Sequence, residues 1–440
     1  MTSYYSIGIL LKELATFLNV TLSRNPNLLH NEFMKNKMKS PLEYKKNTLH
    51  FDGQSLNLIA QKWQTPFYLY SKKTIEFYYN DFTLKAQEQG LDDILICYAI
   101  KANNNKDVLK LLRKLGSGAD VVSGGELKLA LKAGIHPSKI VFSGVGKTDE
   151  EIEMALKCHK NGIFSFNVES LEELADINRI AKKLNKVARV AFRLNPQVHA
   201  KTHRYIATGN KTHKFGILAE DILAGLKSKK YWSHSKLVGL SIHIGSQLTE
   251  MKATKEAIKE LSDLALKINR PLEFLDLGGG LGIDYTEEER KELTSTAEYM
   301  KAIHEALDAF YYKKTDERPK IVFEPGRILV GKMGILISKV IRTKVSGGNH
   351  FTIIDAGMND LIRPALYEAH HDIYPVMRKT KEISTDIVGP ICESADCFGS
   401  AMKLPPMKNG DFVVIDNAGA YGHTMSSTYN ERQRVKEVLL

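Results

Sequence analysis

Cysteine is scarce in this sequence, with only Cys97, Cys158, Cys392 and Cys397 in 440 residues. So few thiols form no disulfide framework, and a reducing cytoplasm is the expected setting. The close pair, Cys392 and Cys397, has C-x4-C spacing without a second pair or a nearby histidine, so no metal site is expected. Long apolar runs are missing as well. Nothing approaches the roughly 18 uncharged apolar residues that a spanning helix needs, so no membrane partner is expected. Acidic residues fall short of basic ones, 51 against 62, for a formal net charge of +11. That excess is scattered and accompanies no nucleic-acid motif, so it reads as a solvated surface that attracts small anions. No nucleic-acid partner is expected. The balance of 43% hydrophobic and 26% charged residues excludes a disordered chain. The length suits one large domain plus a second.

Residues 1–40 stand apart. SIGILLKELATFLNVTL has helical apolar spacing and leads into a polar, basic stretch, without the flanks of a secretory signal. It reads as an extension of unknown role. From about Leu91, short β-rich runs alternate with Lys/Glu/Leu-rich helical patterns, as βα units do. Eight runs stand out: LDDILICYAIKAN, GADVVSG, IVFSGVG, GIFSFNVES, ARVAFRLNP, LVGLSIHIGS, LEFLDLGGGLG and KIVFEPGRILV. Eight units in roughly 250 residues match a (β/α)8 barrel, with a doubly wound open sheet as the alternative. After Val330, strand-like segments separated by glycine turns predict a mainly antiparallel β domain. The expected division is residues 1–40, an extension; 41–70, strands pairing with the C-terminal domain; 71–330, the barrel; and 331–440, the β domain.

Polar residues gather where the barrel runs end, at the face that carries active sites in this architecture. Lys101 follows ICYAI directly, where a partly desolvated amine would have a depressed pKa and serve as a Schiff-base nucleophile. His243 ends the sixth run, its flat ring suited to lie against an aromatic cofactor, with Ser246 beyond it as a phosphate donor. Gly278, Gly279 and Gly280 let backbone N–H groups approach a phosphate, although the run lacks the dinucleotide fingerprint. At the eighth run come Glu324, Pro325, Gly326 and Arg327, an acid for a protonated ring nitrogen and a cation for carboxylate or phosphate. Each signal alone has a plainer reading: a surface charge, a core histidine, a tight turn, a structural ion pair. Together they describe one pocket with the parts that pyridoxal phosphate requires.

The motifs YAIKAN, GADVVSGGEL, FRLNP, HIGSQL, DLGGGLG, EPGR, RPALYEAHH, GPICESAD and AGAYG, in this order, resemble the diaminopimelate decarboxylases. These belong to the alanine-racemase-like fold class of pyridoxal-phosphate enzymes. The resemblance spans about residue 48 to Asn430; EPGR alone is shared with ornithine and arginine decarboxylases. It implies that Lys101 is the Schiff-base lysine and that His243 stacks on the cofactor ring. Ser246, Gly278–Gly280 and the backbone through Pro325, Gly326 and Arg327 would hold the phosphate. Glu324 would pair with the pyridine nitrogen, and Asp120 and Arg193 would line the cofactor pocket. Arg327, Arg363, Tyr367 and Glu393 would bind substrate, and Tyr421 would touch cofactor and substrate. Cys392 would be the proton donor, delivered with Glu393 from the second subunit of a homodimer.

The implied activity is decarboxylation of meso-diaminopimelate to L-lysine, the last step of lysine biosynthesis. A decarboxylase of ornithine, arginine or carboxynorspermidine is the alternative. A racemase of this fold would pair the ring nitrogen with arginine, not with an acid such as Glu324. Two features depart from the family pattern: the first 40 residues have no counterpart in it, and relatives usually continue with another strand beyond STYNERQRVKEVLL.

Overall fold

A computed structural model describes residues 40–198, 214–248, 250–286, 289 and 293–440. The helix expected in the first 40 residues lies outside them. Eight parallel strands close into a barrel: β5 (Ile94–Ala99), β6 (Gly118–Val121), β7 (Ile140–Phe142), β8 (Ser165–Val168), β9 (Ala188–Arg193), β10 (Ser235–Ser241), β11 (Phe274–Asp276) and β12 (Lys320–Phe323). They are the eight predicted runs, and β12 pairs with β5 to complete the ring. The open-sheet alternative is excluded by that closure. Cys97, Val141, Ala191, Val238, Phe274 and Val322 form a separate buried cluster, one residue from each of six barrel strands.

The helices begin where the sequence supplies a capping side chain. Asn105, Ser123, Thr148 and Ser170 each accept from backbone N–H groups of the first turn that follows. Thr148 and Glu151 make a reciprocal capping box. Such caps are each worth about 1 kcal/mol, and they fix where each barrel loop stops and its helix begins.

Before the barrel, β1 (Leu42–Lys45), β2 (Thr48–Phe51) and β3 (Gln54–Ser55) pair with one another. An antiparallel bridge, Thr48 to Met377, and a hydrogen bond from Tyr44 Oη to the Pro375 carbonyl at 2.6 Å tie this small sheet to the C-terminal segment. The strand that pairs with the long β13 (Gly334–Ser346) is β4 (Phe67–Tyr70). β13 also pairs with β18 (Phe412–Ile415) in its first half and β14 (Asn349–Ile354) in its second. Beyond them lie β15 (Ile373–Pro375), β16 (Ile383–Val388) and β17 (Cys397–Leu404). Two pairings are parallel, β14 with β16 and β19 (Lys436–Leu439) with β4, so the domain is mixed though mostly antiparallel. Among the described residues, no helix is long and apolar enough to cross a membrane.

Candidate active site

A cavity of about 460 Å³ opens at the C-terminal ends of the barrel strands and is walled on one side by the C-terminal domain. Lys101, His243, Ser246, Gly280, Glu324, Gly326, Arg327, Arg363, Tyr367 and Tyr421 line it. Residues predicted from six separate segments thus meet in one place.

Lys101 sits in a short turn directly after β5, and its ammonium is ion-paired with the buried Asp120 of β6. About a third of the lysine side chain, 36%, stays open to solvent. The expected depression of its pKa is corrected here. Burial pulls the pKa down, but the ion-paired carboxylate of Asp120 outweighs it and holds the amine above the usual lysine range. Among the described residues the other Asp120 oxygen, Oδ1, has no hydrogen-bond partner. Tyr421 closes this wall from the second domain. Its backbone takes the left-handed conformation (φ 57°), and its N–H donates to the carbonyl of Ala102 at 2.8 Å.

The loop after β11 crosses the barrel mouth with little clearance. A Cβ on Gly278 would lie 2.4 Å from the carbonyl oxygen of Ile242, and one on Gly280 2.4 Å from that of Gly245. Both have positive φ, so only glycine suits either position. Gly279 N–H donates to His243 Nδ1 at 3.2 Å, which leaves the histidine proton on Nε2. Burial, then the charges of Arg193 and Lys101, push the His243 pKa well below normal, so the ring is neutral. Arg193 ends β9, but its guanidinium is taken up by Glu169 at 2.5 Å.

Glu324 follows β12 and is buried beside Asp120 and Asp276, with the Lys101 amine also close enough to act on it. Its Oε1 accepts from Asn167 at 3.2 Å and Ser143 at 3.3 Å. Burial and the neighbouring Asp120 and Asp276 carboxylates raise its pKa well above normal, so it keeps a proton. Asp276, the last residue of β11, accepts from Asn167 at 2.9 Å and from the N–H of Gly278 at 2.9 Å. Sequence reasoning missed Asp276 and Asn167. The one signal was an acid immediately ahead of the glycine run.

Arg327 and Arg363 reach the cavity from opposite sides. Arg327 donates to Tyr285 Oη at 2.6 Å and Ser246 Oγ at 3.3 Å, and its guanidinium lies 4.8 Å from the Tyr421 ring centre. Arg363 starts a short helix, Arg363–Tyr367, and donates to His371 Nε2 at 2.8 Å. Both arginines are buried, and among the described residues neither forms an ion pair with a carboxylate. Two buried guanidiniums without a counter-ion make an anion-binding corner.

Cys392 and Glu393 do not join this cavity. Cys392 is exposed, its N–H 3.5 Å from Asn430 Oδ1. Glu393 accepts from Tyr429 Oη at 2.7 Å in a separate groove with Met358 and Ile362. Their loop is braced by the buried Asp396, whose carboxylate accepts from the N–H groups of Ile391 at 2.6 Å and Met358 at 2.7 Å.

Residues 82–331 match the family model described as the pyridoxal-dependent decarboxylase, pyridoxal binding domain. The chain is also 44% identical to the diaminopimelate decarboxylase of Aquifex aeolicus over 407 residues, 91% of this chain and 92% of that one. The chain belongs to the diaminopimelate decarboxylase family. A solved diaminopimelate decarboxylase from M. jannaschii, in complex with L-lysine, superposes with a TM-score of 0.85 at 38% identity, covering 91% of this chain and 92% of that one. The enzyme from Helicobacter pylori, also complexed with L-lysine, gives 0.79 at 41% identity over 87% and 93%.

The residues present in this decarboxylase fit pyridoxal phosphate. Glu324 is a buried carboxyl with acids for neighbours, which a protonated ring nitrogen would relieve. The glycine loop is a cradle that any Cβ would fill, and the Nε of Arg327 beside it has no partner among the described residues. Lys101 offers a primary amine at the same opening.

Proposed function

We propose that this site decarboxylates meso-2,6-diaminopimelate, releasing CO2 and leaving L-lysine as the final step of lysine biosynthesis. The observation that carries the reading is the counter-ion-free pair Arg327 and Arg363, on the same cavity as Lys101 and Glu324. Pyridoxal phosphate, when bound, supplies an electron-accepting ring next to the scissile bond.

The resemblance to the family implies the roles of the surrounding residues. Lys101 offers the primary amine that would hold the cofactor by its aldehyde carbon until a substrate amine arrived. His243, neutral and flat, would support the cofactor ring, while Asp120 and Arg193 would shape the pocket wall. Ser246, Gly278, Gly279 and Gly280, with the backbone from Pro325 through Gly326 to Arg327, hold the phosphate. Glu324 keeps a proton at the ring nitrogen. Arg327, Arg363 and Tyr367 take a substrate carboxylate, and Tyr421 spans cofactor and substrate. Cys392 donates the proton that replaces CO2 on the α-carbon, and Glu393 pairs with the distal ammonium.

Because Cys392 and Glu393 do not line their own chain's cavity, we assign them to the site of a second copy. The working unit is a homodimer with shared sites. We further assign residues 1–40 to an extension, 41–70 to strands that accompany the C-terminal domain, 71–330 to the barrel and 331–440 to the β domain. Four free cysteines without a disulfide suit the cytoplasm.

The test is incubation of purified protein and cofactor with a panel of amino acids, reading released CO2 and amine product. L-lysine from meso-diaminopimelate is expected. Putrescine from ornithine at comparable efficiency would move the assignment to the basic amino-acid decarboxylases.

A further inference from the structure

Arg327 and Arg363 approach from different domains, yet one side chain touches both. Tyr285, in the loop after β11, accepts from Arg327 Nη1 at 2.6 Å, and its ring centre lies 4.4 Å from the Arg363 guanidinium carbon. His371 packs edge-on to the Tyr285 ring at 5.3 Å and 75°. It accepts from Arg363 Nη1 at 2.8 Å and donates its own Nδ1–H to the carbonyl of Asp416 at 2.7 Å.

Among the described residues, the hydrogen-bond partners of the two guanidiniums are uncharged, although Glu289 and Glu368 line the same cavity. Two cations brought together repel, so neutral groups must set their spacing until an anion arrives. A phenol oxygen and an imidazole nitrogen can accept a hydrogen bond without cancelling the guanidinium charge, whereas a carboxylate in either place would occupy the corner. His371 meets that requirement. Burial, then the charge of Arg363, push its pKa down to about 3, so it stays a neutral acceptor.

We propose that Tyr285 and His371 are positioning residues that fix the separation of Arg327 and Arg363 and thereby set selectivity for a substrate with a second carboxylate. This rests on the substrate reading above and adds its selectivity device. The side chains belong to both domains, so selectivity depends on the barrel and the β domain holding their register.

The test compares Tyr285→Phe, His371→Leu and His371→Gln holoenzymes with the parent. Two readouts are taken: kcat and KM on meso-diaminopimelate, and calorimetric binding of pimelate, a dicarboxylate that cannot react. Tyr285→Phe and His371→Leu should each raise KM and weaken pimelate binding by roughly tenfold, the loss of one charge-assisted hydrogen bond. Their kcat should stay within about threefold, the pattern of lost uniform binding. His371→Gln, which restores an acceptor, should recover most of the loss. Unchanged KM and pimelate affinity in an active enzyme would overturn the proposal, as would a fall in kcat alone. If the parent ignores diaminopimelate while pimelate binding weakens as expected, the substrate reading falls and the positioning role stands. Should Tyr285→Phe fail to fold, the two His371 variants decide the matter.

Discussion

Glu324 and Asp276 share the single amide of Asn167, whose Nδ2 lies 3.2 Å from the first and 2.9 Å from the second. Two neighbouring buried carboxyls that share a donor cannot both ionise cheaply, and Glu324 is the one that keeps its proton. The proton that a pyridine nitrogen needs is thus already stored beneath the cavity. Replacing Asn167 by Ala leaves two buried acceptors short of a donor, which costs about 1–3 kcal/mol. Chemical denaturation of the cofactor-free protein should show that loss. Adding Glu324→Gln should return part of it, because a Gln amide can donate to Asp276. Strict additivity of the two changes would exclude the shared-donor account.

Lys101 carries the second prediction. Borohydride treatment of the yellow holoenzyme, followed by peptide mapping, should place the cofactor on Lys101 and no other lysine. Asp120 holds the amine in its charged form, so Asp120→Asn should lower the Lys101 pKa and extend its reactivity toward lower pH. A label on a different lysine would refute the assignment.

The sequence carried the barrel because the alternation of short apolar runs and amphipathic helices is a local periodicity, visible without tertiary knowledge. Lys101, His243 and Glu324 were legible for a related reason: each ends a strand, and strand ends converge in a barrel. What pairs across neighbouring strands was not legible. Asp120 lies on β6 beside β5, and nothing in the order of residues says that its carboxylate meets the Lys101 amine, so the pKa direction came out reversed. His371 and Tyr285 were hidden for a stronger reason. Each reaches an arginine of its own domain, 8 and 42 positions away, and the two rings meet only across the domain boundary of the folded molecule.

A third prediction separates one chain from two. Cys392→Ala should retain cofactor and substrate binding but turn over about 10²–10⁴-fold more slowly, the usual contribution of a positioned acid. Mixing it with inactive Lys101→Ala protein should restore activity, because one of the two hybrid sites then carries neither lesion. Verified subunit exchange without recovery would assign the whole site to a single chain.

The last prediction is substrate choice, and it turns on charge matching. Diaminopimelate presents a carboxylate and an ammonium at its non-reacting end, which Arg327 and Arg363 with Glu393 complement. Ornithine and lysine present only an ammonium there, leaving the two buried guanidiniums without an anion. Losing one partner of a desolvated charge pair costs about 2–5 kcal/mol. That corresponds to roughly 30-fold to several-thousand-fold. Catalytic efficiency on meso-diaminopimelate should therefore exceed that on ornithine, arginine and lysine by at least about 30-fold. Arg363→Ala should erase most of the preference, since Arg327 alone makes a weaker corner for the distal carboxylate. The visible absorbance of the bound cofactor should be unchanged in that variant, because Arg363 enters from the β domain and not from the barrel loops that hold the ring and phosphate. Steady-state kinetics on the four amino acids decides it: a parent enzyme equally efficient on ornithine, or an Arg363→Ala variant with its preference intact, defeats the charge-matching argument.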